Sequence, residues 1–430
     1  MKYLKRQAGS VLFWSVISAA FIGPGTVTTA AMAGASFGLS LLWAVVFATL
    51  ACIVLQEHAA RIVMTSQHSL GAALRQQVNS RFLPQAVGGM IVLGCAAYQA
   101  GNLLGAATGL TLILKVPLPA IALPVATVAS LFLWQGTPKR LAQAMGILVA
   151  LMGLMFGWLA WNTSFSVGEW LAGLFIPTAP QESWLLLTSL VGTTIVPYNL
   201  FLASGIKHRQ TISQMRSGIA IAVGVGGLIS MAILVAGTIA PLPFDFESFA
   251  QAIEQHIGKG GRILLGIGLF AAGFSSCMTA PLAAAITLQS VWEKPLPLRA
   301  FHLTWGSVMA FGIVFSAIGV KPIPVILLAQ AANGMLLPLL AAVLLMLANN
   351  PRLMPVLYRN RLLANFAGGA SLWICTFLGC QNLFQVGVHT NILALSPVVR
   401  VELATACSTA VVLATLWRVI KASSGSNTQT

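Results

Sequence analysis

Phe21-Ile22-Gly23-Pro24-Gly25-Thr26-Val27-Thr28 lies inside an apolar run from Val11 to Met32. A run of that length has the size of a membrane helix, yet Gly-Pro-Gly cannot continue one. Proline has no N–H to donate and disfavours helical geometry at the residue before it, and glycine costs backbone entropy. Unpaired backbone is tolerated at membrane depth only where protein buries it or where it lines a cavity. The interruption therefore predicts a cavity, and a cavity at the midplane predicts a solute. Val196-Pro197-Tyr198-Asn199 is a second break of the same kind. Two interrupted helices in corresponding halves of a chain point to a transporter site. Pro24, Gly25 and Pro197 are thus assigned as the helix breaks.

Outside the breaks, composition decides the class. The 430 residues are 57% hydrophobic and 7% charged, with a mean hydropathy of +0.88. A soluble domain carries roughly 25% charged residues. An all-α polytopic membrane protein follows, with the lipid bilayer as its surroundings. A formal charge of +15 raises the question of nucleic acid. The basic residues sit in short loops between apolar spans and form no patch or arm, so nucleic acid is rejected as a partner. All six cysteines fall in apolar windows without a CxxC, the pattern of small buried hydrophobes. No nucleophile–base motif, HExxH motif or phosphate loop is present, so no enzyme and no cofactor are expected.

Apolar windows of spanning length fall near 11–35, 39–56, 85–114, 119–135, 141–161, 185–204, 217–240, 262–290, 301–320, 323–348, 363–385 and 401–420, twelve in all. With the N-terminus inside, eighteen of the 23 Lys and Arg fall on the cytoplasmic side. Among them are Lys2, Lys5, Arg6, Arg61, Arg81, Lys207, Arg209 and Lys294. Lys115, Lys259, Arg262, Lys321 and Arg400 fall outside. That bias places both termini in the cytoplasm, in a multi-pass protein of a bacterial inner membrane. The outer segment 241–261 carries Phe244, Phe246 and Phe249, which predicts a short amphipathic helix. The segment 162–184 is expected at the interface, and the tail from Ala422 to Thr430 is expected to be disordered.

Gly23-Pro24-Gly25-Thr26 and Ala33-Gly34-Ala35-Ser36-Phe37-Gly38-Leu39-Ser40-Leu41-Leu42-Trp43 resemble the first-span motifs DPGN and AGASFGYSLLW of the Nramp family of divalent-metal transporters. Leu55-Gln56 with Ala59-Ala60-Arg61 matches that family's second span. Pro197 and Asn199-Leu200-Phe201-Leu202 with Ser204 match its MPHNLFLHS motif, and Gly273, Ser275-Ser276 and Thr279 echo GQSSTITG. The resemblance implies a LeuT-like fold in a single domain, 1–430. It implies two inverted five-helix repeats, about 11–161 and 185–348, and two additional helices, about 363–420. It also implies alternating access.

The departures from the motif bear on the cargo. The family's metal-holding aspartate, asparagine and methionine fall at Gly23, Thr26 and Val196, and its carbonyl ligand falls at Thr193. Its two histidines of the sixth span become Tyr198 and Ala203, and an acidic pair on the third span becomes Gln99 and Asn102. Gln330 matches, whereas a later glutamine is Leu336. A dry Mn²⁺ or Fe²⁺ site wants anionic oxygen, imidazole or thioether ligands. What remains around the breaks is neutral: Thr26, Thr28, Thr193, Thr194, Tyr198, Asn199, Gln99, Asn102, Gln330 and Asn333, with Phe274 as an aromatic face. Such donors and acceptors suit a neutral polar organic solute, and a monosaccharide is the expected cargo. The alternative is a divalent cation, Mg²⁺ or Mn²⁺, passing with part of its water shell. Na⁺ is a conceivable coupling ion, because half-helix carbonyls bind it without a carboxylate. Glu57, His58 and Arg61 cluster at the cytoplasmic end of the second span, where pairing among themselves or with a gate is expected.

Overall fold

A computed structural model describes residues 22–77, 82–136, 139–180, 182–204, 211–292 and 296–424. Residues 11–21 of the first expected span lie outside them. So do Lys2, Lys5, Arg6, Arg81, Lys207, His208, Arg209, Lys294 and residues 425–430 of the tail.

Every regular element among the described residues is helical. α1 (Pro24–Phe37) passes through a 3₁₀ turn (Gly38–Leu41) into α2 (Leu42–Ser66), followed by the short α3 (Leu70–Gln77). α4 (Phe82–Leu114), α5 (Leu118–Gln135) and α6 (Lys139–Trp161) come next, then the short α7 (Val167–Phe175). α8 (Trp184–Thr194) and α9 (Pro197–Ser204) are the two parts of one interrupted span. α10 (Ile212–Gly237), the short α11 (Phe246–Ile257), α12 (Lys259–Val291), α13 (Leu298–Ala317) and α14 (Pro322–Asn349) complete the centre. α15 (Leu362–His389) and α16 (Pro397–Ser424) follow. The expected disordered tail thus begins as the last turn of α16.

Eleven helical segments among the described residues are long and apolar enough to cross a membrane. The first, Pro24–Ser66, holds both α1 and α2, so it covers two of the twelve windows read from sequence. This is a multi-pass membrane protein. Its outer face is apolar: Leu93, Leu154, Leu303 and Phe366 are all more than 70% exposed, as lipid-facing side chains are.

Small residues let the helices that frame the centre approach closely. α4 and α12, 33 residues each, are in backbone contact. A Cβ at Gly273 would sit 2.6 Å from the Ala106 nitrogen, and one at Gly109 would sit 2.5 Å from the Gly266 oxygen. α8 meets α14 in the same way, where a Cβ at Gly334 would lie 2.5 Å from the Thr188 oxygen. Without a hydrophobic drive between helices in lipid, such close packing is a main source of association.

Two of the short helices are capped by their own side chains. α11 is capped by Asp245, whose carboxylate accepts from the Ser248 N–H at 2.8 Å. Phe246, Phe249, Ala250 and Ile253 form its buried side, so the amphipathic helix expected from the three phenylalanines is present. α7 carries a capping box between Ser166 and Glu169 and keeps Val167, Leu171 and Phe175 exposed.

Candidate substrate site

Gly23 caps α1 in extended geometry, and Pro24 takes the first helical position, where a missing N–H is harmless. The chain therefore enters the helix at the break itself, with the Thr26 N–H bonded to the Gly23 oxygen at 3.1 Å. α8 ends at Thr194, Ile195 leaves helical geometry, and Pro197 starts α9. The two breaks touch: the Thr26 and Thr193 hydroxyls are 3.1 Å apart. Residues 167 positions apart in sequence thus form one centre.

Three glycines define its shape. The Pro24 ring lies on Gly105 of α4, where a Cβ would collide with it. A Cβ at Gly25 would collide with the Gln330 carboxamide, so this α14 side chain rests on the α1 backbone. A Cβ at Gly23 would point at Ser276 Oγ, 3.4 Å away, and at Asn102 Oδ1, 3.9 Å away. At the position where the resemblance places an aspartate, α4 and α12 therefore present a neutral amide and a hydroxyl.

The polar groups of this centre divide into two sets. The Thr28 hydroxyl donates to the Pro24 oxygen at 2.7 Å, and that of Thr194 to the Leu190 oxygen at 2.9 Å. Both are engaged with their own helices. Gln99 Nε2 donates to the Cys277 oxygen at 3.3 Å and meets Met309 Sδ at 3.1 Å. The second set is buried and lacks hydrogen-bond partners. It comprises Gln99 Oε1, both amide atoms of Asn102, both of Asn199, the Tyr198 hydroxyl, Gln330 Oε1 and Asn333 Nδ2. A buried polar group without a partner costs roughly 1–3 kcal/mol, so a cluster of them marks a place built for something polar.

Val196 is buried in the main apolar core. Phe274 does not join the centre. Its ring stacks on Phe270 at 5.4 Å and meets Phe132 edge-on at 6.3 Å, within a separate cluster between α5 and α12. Two residues absent from the expected set do belong to it. Ser276 faces Gly23 with its hydroxyl unpaired, and Tyr98 packs edge-on against Tyr198 with centroids 5.5 Å apart. Tyr98 precedes Asn102 by one helical turn on α4, a spacing that marks one face.

Among the described residues no three His, Cys, Asp or Glu side chains come together as a metal cluster. The cysteines are free. The charged cluster expected at the end of the second span does form. Glu57 accepts from Arg61 Nε at 2.8 Å and from Arg216 Nε of α10 at 2.9 Å.

A profile of the family described as natural resistance-associated macrophage protein-like (Nramp) matches residues 15–385. The chain belongs to the Nramp family. Among similar relatives is the "Divalent metal cation transporter MntH" of Verminephrobacter eiseniae, 27% identical over 365 residues, covering 80% of this chain and 82% of that protein. The protein of the same name from Erwinia tasmaniensis is 26% identical over 367 residues, covering 80% and 87%. A solved structure of the manganese transporter of Eremococcus coleocola, in complex with an aromatic bis-isothiourea substituted compound, superposes with a TM-score of 0.74. It is 18% identical and covers 98% of this Nramp chain and 95% of that one. The fold is LeuT-like, with α1 starting at Pro24 and the sixth span interrupted between α8 and α9.

These relatives overturn the monosaccharide expected from the neutral residues. They are named for divalent metal cations, and sugar transport is withdrawn. The expectation failed for a physical reason. Hydroxyls and amides that suit a sugar suit water equally well, and a hydrated ion presents only water to its surroundings.

Proposed function

We propose that this Nramp protein carries a divalent cation, Mg²⁺ or Mn²⁺, by alternating access about the two breaks, and that the ion keeps much of its water shell at the centre. The observation that carries this reading is the meeting of the start of α1 with the end of α8 at Thr26 and Thr193, among helices that carry buried, unpaired amide and hydroxyl groups, in a chain whose relatives are named as divalent metal cation transporters. Mg²⁺ accepts neutral oxygen and gives up water reluctantly, so it suits this donor set better than a softer ion does.

The roles follow from placement. Asn102, Gln99, Asn199, Gln330 and Asn333 hydrogen-bond the ion's water ligands. Thr26 and Thr193 separate to admit it. The last turn of α8 ends at the break, and its carbonyl end is the favourable pole for a cation. Gly23 leaves room for a water beside Ser276 and Asn102. Thr28, Thr194 and Val196 shape the wall rather than touch cargo, and Tyr98 with Tyr198 lies beside it. The repeats that rock against each other are about 11–161 and 185–348, with 363–420 as an addition. Na⁺ is the co-ion that neutral half-helix ends favour over a proton. The basic residues, concentrated on one side, support cytoplasmic termini in an inner membrane.

Uptake by purified protein in liposomes tests this. Saturable Mg²⁺ uptake that Mn²⁺ competes for is expected. Uptake of neither ion above protein-free liposomes sinks the proposal, and uptake unchanged when choline replaces Na⁺ removes the co-ion.

A further inference from the structure

We propose that a phosphate-bearing anion binds at the basic end of the bundle. The site is a cavity of about 440 Å³ walled by α2, the start of α10, and the connection from α14 to α15. Arg61, Arg216, Arg359 and Arg361 line it, and Glu57 is the one carboxylate among the lining residues. Four cations against one anion leave a surplus of three positive charges.

The hydrogen bonds do not remove that surplus. Glu57 is shared between Arg61 and Arg216. Arg61, whose side chain is 2% exposed, is completed by the Tyr358 oxygen and Asn360 Oδ1. Arg359 donates to the Met354 oxygen at 3.0 Å and the Pro351 oxygen at 3.4 Å. All of these added partners are neutral. Among the described residues no carboxylate pairs with Arg359 or Arg361. Guanidinium forks match phosphate oxygens two at a time.

The surroundings favour the same ligand. Leu363 and Ala364, in the first turn of α15, form part of the wall. The residue before that turn, Arg361, supplies no side-chain cap, so the first N–H groups of a 28-residue helix add donors there. Val356, Leu357, Leu362 and Phe366 flank the arginines and are at least 74% exposed. Charge beside bare apolar surface is what a lipid phosphate with its acyl chains requires. A free phosphate shares the headgroup chemistry but has no use for the apolar flank.

The test reads binding without transport, so it stands apart from the question of cargo. Full-length protein, delipidated in detergent, is titrated with phosphatidylglycerol, with phosphatidylcholine and with inorganic phosphate, and thermal unfolding is followed. Phosphatidylglycerol is expected to raise the midpoint and phosphatidylcholine to leave it unchanged. In Arg216→Gln/Arg361→Gln the concentration required should rise by about tenfold or more, equivalent to about 1.4 kcal/mol. Arg361→Gln alone is the second variant, because that side chain holds no described partner and its loss leaves the fold intact. A response to inorganic phosphate that the variants lose would identify the free anion as the ligand and uphold the site. The proposal fails if no anion shifts the wild-type midpoint, or if both variants respond as the wild type does.

Discussion

The centre of the bundle and its basic end treat polarity in opposite ways. At the centre the polar groups are neutral, fully buried and largely unpaired, as Asn102 and Asn199 show. At the basic end they are charged and tied together, with Glu57 held by two arginines from different helices. Unpaired neutral groups leave binding capacity for a passing solute. The shared Glu57 fastens α2 to α10, and Arg61 ties α2 to the α14–α15 connection through the neutral oxygens of Tyr358 and Asn360. Stability and transport should therefore respond to different residues.

The largest effect is expected from Arg61→Gln. It leaves a largely buried Glu57 with only the exposed Arg216, and removes the bonds to Tyr358 and Asn360. Breaking a buried pair costs about 3 kcal/mol or more, whereas Arg216→Gln, at 57% exposure, should cost below about 1 kcal/mol. Unfolding midpoints of the two variants check this, and equal losses would abolish the contrast. Asn102→Leu is the converse. Its amide has no protein partner to lose, so the midpoint should hold or rise while Mg²⁺ uptake falls by about tenfold, equivalent to about 1.4 kcal/mol. A destabilised variant with normal uptake would show Asn102 to be a packing residue.

Gly23→Asp places a carboxylate beside Ser276 and Asn102 with room for its Cβ. Calorimetry should find Mn²⁺ bound more tightly than by the wild type, by about 1–3 kcal/mol for a charged contact. Unchanged affinity would mean that the ion does not pass Gly23. The smallest effect concerns α11. A hydrogen bond from Arg262 holds the Glu247 carboxyl below its usual range. At Asp245 slight burial pushes the carboxyl up, but bonds from Ser248 outweigh it and the net shift is downward. Depressed carboxyls stabilise the fold above their unfolded pKa, about 4, and that contribution is lost as pH falls through the lower folded values. Protection of the α11 amides relative to intrinsic exchange should therefore fall selectively in acid, and protection that is flat across this window would remove the effect.

Both breaks were legible because glycine and proline announce themselves in an apolar run. So were α11, from Phe244, Phe246 and Phe249, and the pairing of Glu57 with Arg61, from their clustering at the end of the second span. The rotation of α12 was not legible. That helix is small or apolar all round, so no face is marked. Phe274 therefore reads as facing the centre, whereas Ser276 is the residue that lies against Gly23. Thr28 and Thr194 look like binding hydroxyls in sequence, yet each bonds to a carbonyl one turn back, a choice that only backbone geometry reveals. The cargo was misread because a donor list does not separate water on an ion from hydroxyls on a sugar.

Neutrality at the centre has an electrical consequence under the proposed cargo. A centre that neither gives up nor takes a proton adds no compensating charge, so the dication carries its own two net charges across, besides any carried by Na⁺. Each charge moved through a potential of 100 mV is worth about 2.3 kcal/mol. The resting voltage of a cell, negative inside, would then pull the ion inward by about 4.6 kcal/mol per 100 mV on the same scale. Steady accumulation would track voltage, and a potassium-diffusion potential imposed on liposomes would set its direction.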